Sequence, residues 1–114
     1  MTKEGFMNKY PEGMEFDVLG TIYTLHYDEQ ECESQNCQGL CELYTKKIVI
    51  SLKGFGEPTA FDKVENYYKK VIRHELTHAF FFESGLTDYG GDETLVDALA
   101  VQMPKMAKLM KGIM

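Results

Sequence analysis

No run in this sequence approaches the roughly 20 consecutive apolar residues that a helix needs to cross a bilayer. The first residues, MTKEGFMNKYPEGMEF, lack the apolar stretch of a secretory signal. Both absences lead to the expectation of a cytoplasmic protein with no membrane partner. Positive charge is scarce as well: 12 lysines and arginines stand against 18 acidic residues, a formal net charge of -6. A nucleic-acid interface needs a basic stripe to neutralise phosphates, and an anionic membrane repels an acidic protein, so both partners are excluded from the expectation. Cysteine is sparse and odd in number: Cys32, Cys37 and Cys41 lie close together. In a reducing cytoplasm that pattern reads as three free thiols, not as a disulfide framework. No internal repeat and no low-complexity segment is present. What remains, 114 residues of ordinary composition with 44% hydrophobic residues, suits a single domain able to bury its own core.

Residues 1–15 are polar, carry Gly5, Pro11 and Gly13, and read as a loose lead-in to a domain spanning 16–114. Phe16 to Glu29 is rich in β-branched and aromatic residues (Val18, Ile22, Tyr23, Leu25, Tyr27) and predicts one or two strands, with Gly20 at a turn or bulge. Gln30 to Gly39 is polar and predicts a loop. Cys41 to Leu52 predicts a strand pair turning near Thr45, Lys46 and Lys47, with Ile48, Val49 and Ile50 as a well-buried strand, ended by Gly54, Gly56 and Pro58.

Helical periodicity then takes over. Thr59 is placed as an N-cap with Asp62 three residues on, and a helix is expected from about Ala60 to Glu83, closed by Gly85. Ile72, Leu76, Ala79 and Phe80 recur at helical spacing and are expected on its core face. After a loop, LTDYGGD, a last helix starts near Asp92 with Leu95, Val96, Leu99, Ala100 and Met103 on its apolar side, and Pro104 is expected to end or kink it. Of the C-terminal methionines, Met103 is assigned to the core. Met106, Met110 and Met114 are left between core filling and a surface for a partner. Strands followed by helices imply an α+β domain: a small antiparallel sheet packed on two helices.

The chemistry concentrates in His74-Glu75-Leu76-Thr77-His78, an H-E-x-x-H pattern inside the expected helix. Residues four apart on a helix share a face, with Cβ atoms about 5–6 Å apart, so two imidazoles can converge on one metal ion. Glu75 is turned about 100° from His74, too far to be a good ligand but within reach of a metal-bound water, the position of a general base. A catalytic zinc needs a third protein ligand and an open position. Glu93 and Asp97, again four apart, supply a His74, His78, Glu93 ligand set, with Asp97 free to accept the second N–H of a ligating histidine. Asp88 and Asp92 are rival third ligands. His26, in an early strand, reads as a surface or packed histidine. The cysteines have two further readings beside free thiols: a thiolate on the open metal position, or a second metal site, for which the C-x4-C-x3-C spacing matches no zinc pattern.

The runs VIRHELTHAFFFESGL and DETLVDALAVQMPKM resemble small zincin-like metallopeptidases of bacteriophages and prophages, related in outline to the ImmA/IrrE type. CELYTKKIVIS is similar to the segment those proteins carry before the active-site helix. The resemblance covers roughly residues 16–106, with the last 35 or so carrying its specificity. It implies a minimal zincin-like fold, in the host cytoplasm if phage-encoded, with zinc on His74, His78 and Glu93 and with Glu75 as the catalytic glutamate. It also implies that Asp97 orients His74, and that an edge strand, Lys47 to Leu52, pairs with an extended peptide or protein substrate. Helix-turn-helix and sensor domains of some ImmA/IrrE-type proteins are absent from this sequence, so their regulatory roles do not transfer. Tyr89, between Gly-rich loop residues, is an expected donor to the developing oxyanion. Two other function classes remain beside a zinc peptidase: a metal-binding protein without turnover that serves assembly or recognition, and a plain structural domain with no metal. The sequence leaves the substrate and the oligomeric state open.

Overall fold

The structure is a computed structural model that describes residues 2–55 and 64–114. Among these residues the order is α1 (Lys3–Lys9), β1 (Glu15–Val18), β2 (Thr21–Tyr27), α2 (Glu29–Ser34), β3 (Gly39–Glu42), β4 (Lys47–Ile50), α3 (Val64–Glu83), α4 (Thr87–Gly90) and α5 (Glu93–Met110), followed by a 3-10 turn over Lys111–Ile113. The α+β class is as expected. The Thr59 cap and the helix start near Ala60 fall outside the described residues.

The sheet is mixed, which corrects the antiparallel expectation. Its order is β1-β2-β4-β3, with β2 and β4 parallel and the other two pairs antiparallel. The polar stretch after β2 carries the chain, through α2, one strand-width past its neighbour. The β3–β4 hairpin then folds back and inserts β4 beside β2, Leu25 opposite Ile48 and Tyr27 opposite Ile50. Lys47–Ile50 is therefore an inner strand paired on both sides, not the edge expected from the resemblance. The edge strand beside the helices is β3. Ile48, Val49 and Ile50 are all buried because both faces are covered: Ile48 and Ile50 join the main core, while the Cys32 thiol of α2 lies 3.8 Å from the Val49 carbonyl.

Two stretches read as irregular are helical. In the supposed lead-in, Thr2 caps α1 by accepting from the Gly5 amide at 2.9 Å, and Phe6 is 0% exposed, ringed by Tyr10, Phe55 and Tyr68 at 4.9, 5.6 and 6.2 Å between centroids. Met7, Tyr10 and Met14 pack against the same core, so Phe6 docks the segment together with three partly buried neighbours. The supposed loop contains α2, capped by Asp28 on the Glu31 amide at 3.0 Å.

α3 lies over the sheet with Tyr68, Val71, Ile72 and Ala79 in the core. Phe80 does not follow them and stays 48% exposed. A step of four residues advances about 40° round the helix, so two steps from Ile72 carry Phe80 off the core face. Gly85 closes the helix as expected, with the Leu86 amide on the Phe81 carbonyl at 2.9 Å and its own amide on Phe82 at 3.2 Å. At the same end Glu83 joins both hairpins, accepting from Tyr23 at 2.6 Å, Thr21 at 3.0 Å and Lys46 at 2.8 Å.

Pro104 does not end α5, which continues through it to Met110. Its buried residues are Val96 and Ala100. Met103, assigned to the core, is exposed. No helix among the described residues is long and apolar enough to cross a membrane.

Candidate metal centre

The pairings of His78 with Glu93, His74 with Asp97 and Arg73 with Ala100 run in opposite directions along α3 and α5, so the two helices are antiparallel. That arrangement brings the start of α5 against the middle of α3. His74, His78 and Glu93 each present a ligand atom, and these lie within 4.8 Å of one another. His74 Nε2 is 3.0 Å from Glu93 Oε2, and His78 Nε2 is 3.0 Å from Glu93 Oε1. The rivals are used elsewhere or stand apart. Asp92 is the N-cap of α5, accepting from the Leu95 amide at 3.1 Å, and Asp88 is exposed in the first turn of α4.

The far side of each imidazole is also held. His78 Nδ1 lies 2.6 Å from the Gly90 carbonyl, and His74 Nδ1 lies 3.4 Å from Asp97 Oδ1. A carbonyl can only accept, so His78 Nδ1 carries the hydrogen and its Nε2 offers a lone pair. His74 has a carboxylate oxygen near each ring nitrogen, Glu93 at 3.0 Å from Nε2 and Asp97 at 3.4 Å from Nδ1. The His78 Nε2 lone pair then faces a Glu93 oxygen at 3.0 Å, acceptor against acceptor. Such a pair is stable with positive charge between its members: a proton on the His78 ring, or a cation that His74, His78 and Glu93 could share. The donor set fits a divalent metal, and zinc by ligand type.

Gly90 makes the His78 contact possible. It ends α4 directly against α3, where an added Cβ would stand 3.0 Å from that of Phe81. The expected loop after α3 is thus a short helix that delivers a carbonyl to the site.

A cleft of about 560 Å³ opens between α3, the start of α5 and the edge strand β3. His74, His78, Glu93 and Asp97 line it, as do Glu75 and Gly39. Glu75 is only 7% exposed. Burial, with a further push from Glu93 and against the pull of His74, raises its carboxyl to about 7. It lies against Gly39, where an added Cβ would come 3.1 Å from Oε2 and 2.8 Å from Val71 Cγ1.

Tyr89 is not among the residues lining the cleft and is 57% exposed on α4. In its place the wall carries Tyr67 and Lys70. Sequence reasoning passed over both, although they lie seven and four residues before His74 on the same helix face. Lys70 Nζ is 3.7 Å from Asp97 Oδ1 and 5.6 Å from the centre of the Tyr67 ring.

The three cysteines are free thiols. Cys37 and Cys41 line the cleft, and burial together with the Glu75 charge pushes the Cys41 thiol up to about 12, so it is not a thiolate at neutral pH. His26 is remote from the centre, bridging Glu12 at 2.8 Å and Thr24 at 2.7 Å.

Comparison of the chain with protein-family models, with curated proteins and with solved structures gives no match.

Proposed function

We propose that this protein is a zinc-dependent peptidase of minimal zincin-like build, acting on an extended segment of a peptide or protein. The observation that carries the reading is the meeting of His74 Nε2, His78 Nε2 and the Glu93 carboxylate within 4.8 Å at the mouth of a cleft that also holds Glu75. Zinc on those three groups supplies a Lewis acid and makes a water molecule acidic near neutral pH. The chain's own residues do the rest. Glu75 takes a proton from the attacking water and returns it to the leaving amine. Asp97 and the Gly90 carbonyl hold the two imidazoles in the tautomer that leaves Nε2 free to bind. Lys70 and Tyr67 supply positive charge and a phenol on the same wall, the role expected of Tyr89. The substrate adds as a strand along β3, whose outer edge borders the cleft, with backbone hydrogen bonds giving affinity.

The test is the metal content of the purified protein by mass spectrometry, for the parent, His78→Ala and Glu93→Ala, followed by hydrolysis of a mixed peptide library. One zinc per chain in the parent, lost in both variants, with cleavage of peptides, is the expected result. Absence of metal after zinc is added back overturns the reading. Zinc without hydrolysis of any peptide favours a metal-holding protein that does not turn over.

A further inference from the structure

The end of α2 brings two thiols together. The helix closes through two nested backbone bonds: the Cys37 amide donates to the Cys32 carbonyl at 3.0 Å, and inside that bond the Asn36 amide donates to the Glu33 carbonyl at 3.1 Å. Asn36, just past the helix, takes the left-handed backbone with φ 55°. This paired-bond stop sets the side chain two positions past the helix end against one in the last turn. At most helix ends that contact is made by two hydrophobic side chains. Here both members are cysteines.

The contact is close. Cys37 Sγ lies 3.7 Å from the Cys32 carbonyl oxygen, and the two thiols are hydrogen-bonded to each other. Cys32 is 0% exposed, with its sulfur 3.8 Å from the Val49 carbonyl. Cys37 is half-buried and borders the cleft. One sulfur is therefore open to a reagent, and the other is held directly behind it.

Cys41 stands outside this arrangement. In β3 it lies opposite Ile48, on the sheet face turned to α3, whereas Cys32 packs on the other face beside Val49. From Gln38 to Cys41 the chain is extended along β4, from Ser51 to Ile48. At about 3.3 Å per residue that stretch covers roughly 10 Å, and Cys37 lies one residue earlier still. A disulfide bridges α-carbons no more than about 7 Å apart.

We infer that Cys32 and Cys37 are a built disulfide pair: a small disulfide oxidant joins them with the backbone of the helix end unchanged, and Cys41 stays a thiol. With glutathione disulfide the reaction is an exchange. The Cys37 thiolate attacks one glutathione sulfur and releases the other glutathione as a thiolate. Cys32 gives up its proton, attacks the Cys37 sulfur and releases the second glutathione. Two protein thiols are oxidised, one glutathione disulfide is reduced, and the two protons pass to the departing glutathione thiolates. Burial pushes both protein thiols up, Cys32 to about 12, so little thiolate is present and the exchange is slow. In a reducing compartment the pair rests as thiols, and the bond forms where the surroundings oxidise. It ties the Cys37 side of the cleft wall to the buried end of α2, and it needs neither metal nor turnover.

The test brings the full chain, with EDTA present, to equilibrium in glutathione buffers from fully reduced to fully oxidised. Free thiols are trapped with iodoacetamide, and a glutamate-specific protease cuts at Glu33, between the two cysteines. At the oxidised end, mass spectrometry is expected to find the fragments of Cys32 and Cys37 linked, with the alkyl group on Cys41 alone. Cys41→Ser is expected to form the same bond, as is Asn36→Gly, which keeps the left-handed backbone. Asn36→Pro fixes φ near -65° and removes an amide of the turn, and is expected to lower the equilibrium constant for the bond at least ~10-fold. The oxidised parent is expected to melt about 5–10 °C above the reduced one. Three free thiols at the oxidised end, a bond that includes Cys41, a lasting glutathione adduct on Cys37, or an oxidised chain that melts below the reduced one overturns the inference. So does a folded Asn36→Pro chain with the parent's equilibrium constant, since the pairing would then owe nothing to the helix end. If circular dichroism shows Asn36→Pro unfolded, the parent and Asn36→Gly decide the matter by the same measurements.

Discussion

Arg73 Nε donates to the Ala100 carbonyl oxygen at 2.8 Å, and the reason lies four residues further along α5. Pro104 has no N–H, so the Ala100 carbonyl loses the partner that an uninterrupted helix would give it. Arg73, immediately before His74, takes that place. One bond thereby lets α5 continue through a proline and ties it to α3 beside the site. Arg73→Met leaves a part-buried carbonyl without its donor and is expected to cost about 1–2 kcal/mol. In a Pro104→Ala background the helix supplies its own donor, so the same substitution should cost clearly less. Urea denaturation of the four proteins in this cycle measures the difference. Equal costs in both backgrounds would sever Arg73 from Pro104.

Removing the Glu75 carboxylate while keeping its shape isolates the proton transfer. Glu75→Gln is expected to retain zinc at the parent's stoichiometry and to lose about 10²–10⁴-fold in peptide hydrolysis, the usual weight of a general base. Zinc analysis and turnover on the same sample check both halves. Undiminished turnover would remove Glu75 from the chemistry.

Gly39 is the point where the cleft wall touches the acid. A methyl group there would meet Val71 Cγ1 at 2.8 Å and Glu75 Oε2 at 3.1 Å. Gly39→Ala must push β3 outward or turn the carboxylate, and overpacking of this kind costs about 1–3 kcal/mol. Lower thermal stability is expected together with impaired hydrolysis and unchanged zinc content, since none of the three ligand residues moves. Calorimetry and metal analysis read the two effects separately.

Glu83 gives the protein a pH signature away from the candidate site. Bonds from Lys46, Tyr23 and Thr21 hold its carboxyl below the ordinary glutamate range. The folded chain therefore binds that proton less readily than the unfolded chain does. The stabilisation is complete above the unfolded value, about 4.3, and disappears as pH falls through the lower folded value. Glu83→Gln should be less stable than the parent at pH 7, with the gap closing toward pH 3. Melting temperatures of both proteins across that span provide the check, and a gap independent of pH would contradict it.

The β1–β2 turn leaves room for improvement. Leu19 and Gly20 both have positive φ, 52° and 93°, the conformation of a two-residue hairpin turn that favours Asn-Gly. Leu19 is exposed, so its left-handed backbone is not compensated by packing. Leu19→Asn is expected to raise stability by about 1 kcal/mol, seen as a higher melting temperature.

Local spacing determined a large part of this molecule. A helix of 3.6 residues per turn makes His74 and His78 neighbours wherever the helix is placed, and Glu93 and Asp97 likewise. Alternation and turn residues were enough for the β3–β4 hairpin and for the stop at Gly85, and left open only whether Phe16 to Glu29 makes one strand or the two of β1–β2, because each depends on contacts a few residues apart. The tertiary structure decided what depends on distant partners. β4 lies between β2 and β3 because both of its faces find cover, from α3 and from α2, and no local pattern records which strand lies beside which. Phe6 docks α1 through rings that are 49 and 62 residues away in the chain. Phe80 and Met103 match the apolar periodicity yet remain in solvent, since periodicity fixes a side chain's direction and not whether anything lies there. Glu93 meets the histidines, while Asp92 caps a helix and Tyr89 turns outward, because α5 packs antiparallel to α3. Val96 and Ala100 are the buried residues of α5, and with them turned inward Glu93 meets His74 and His78.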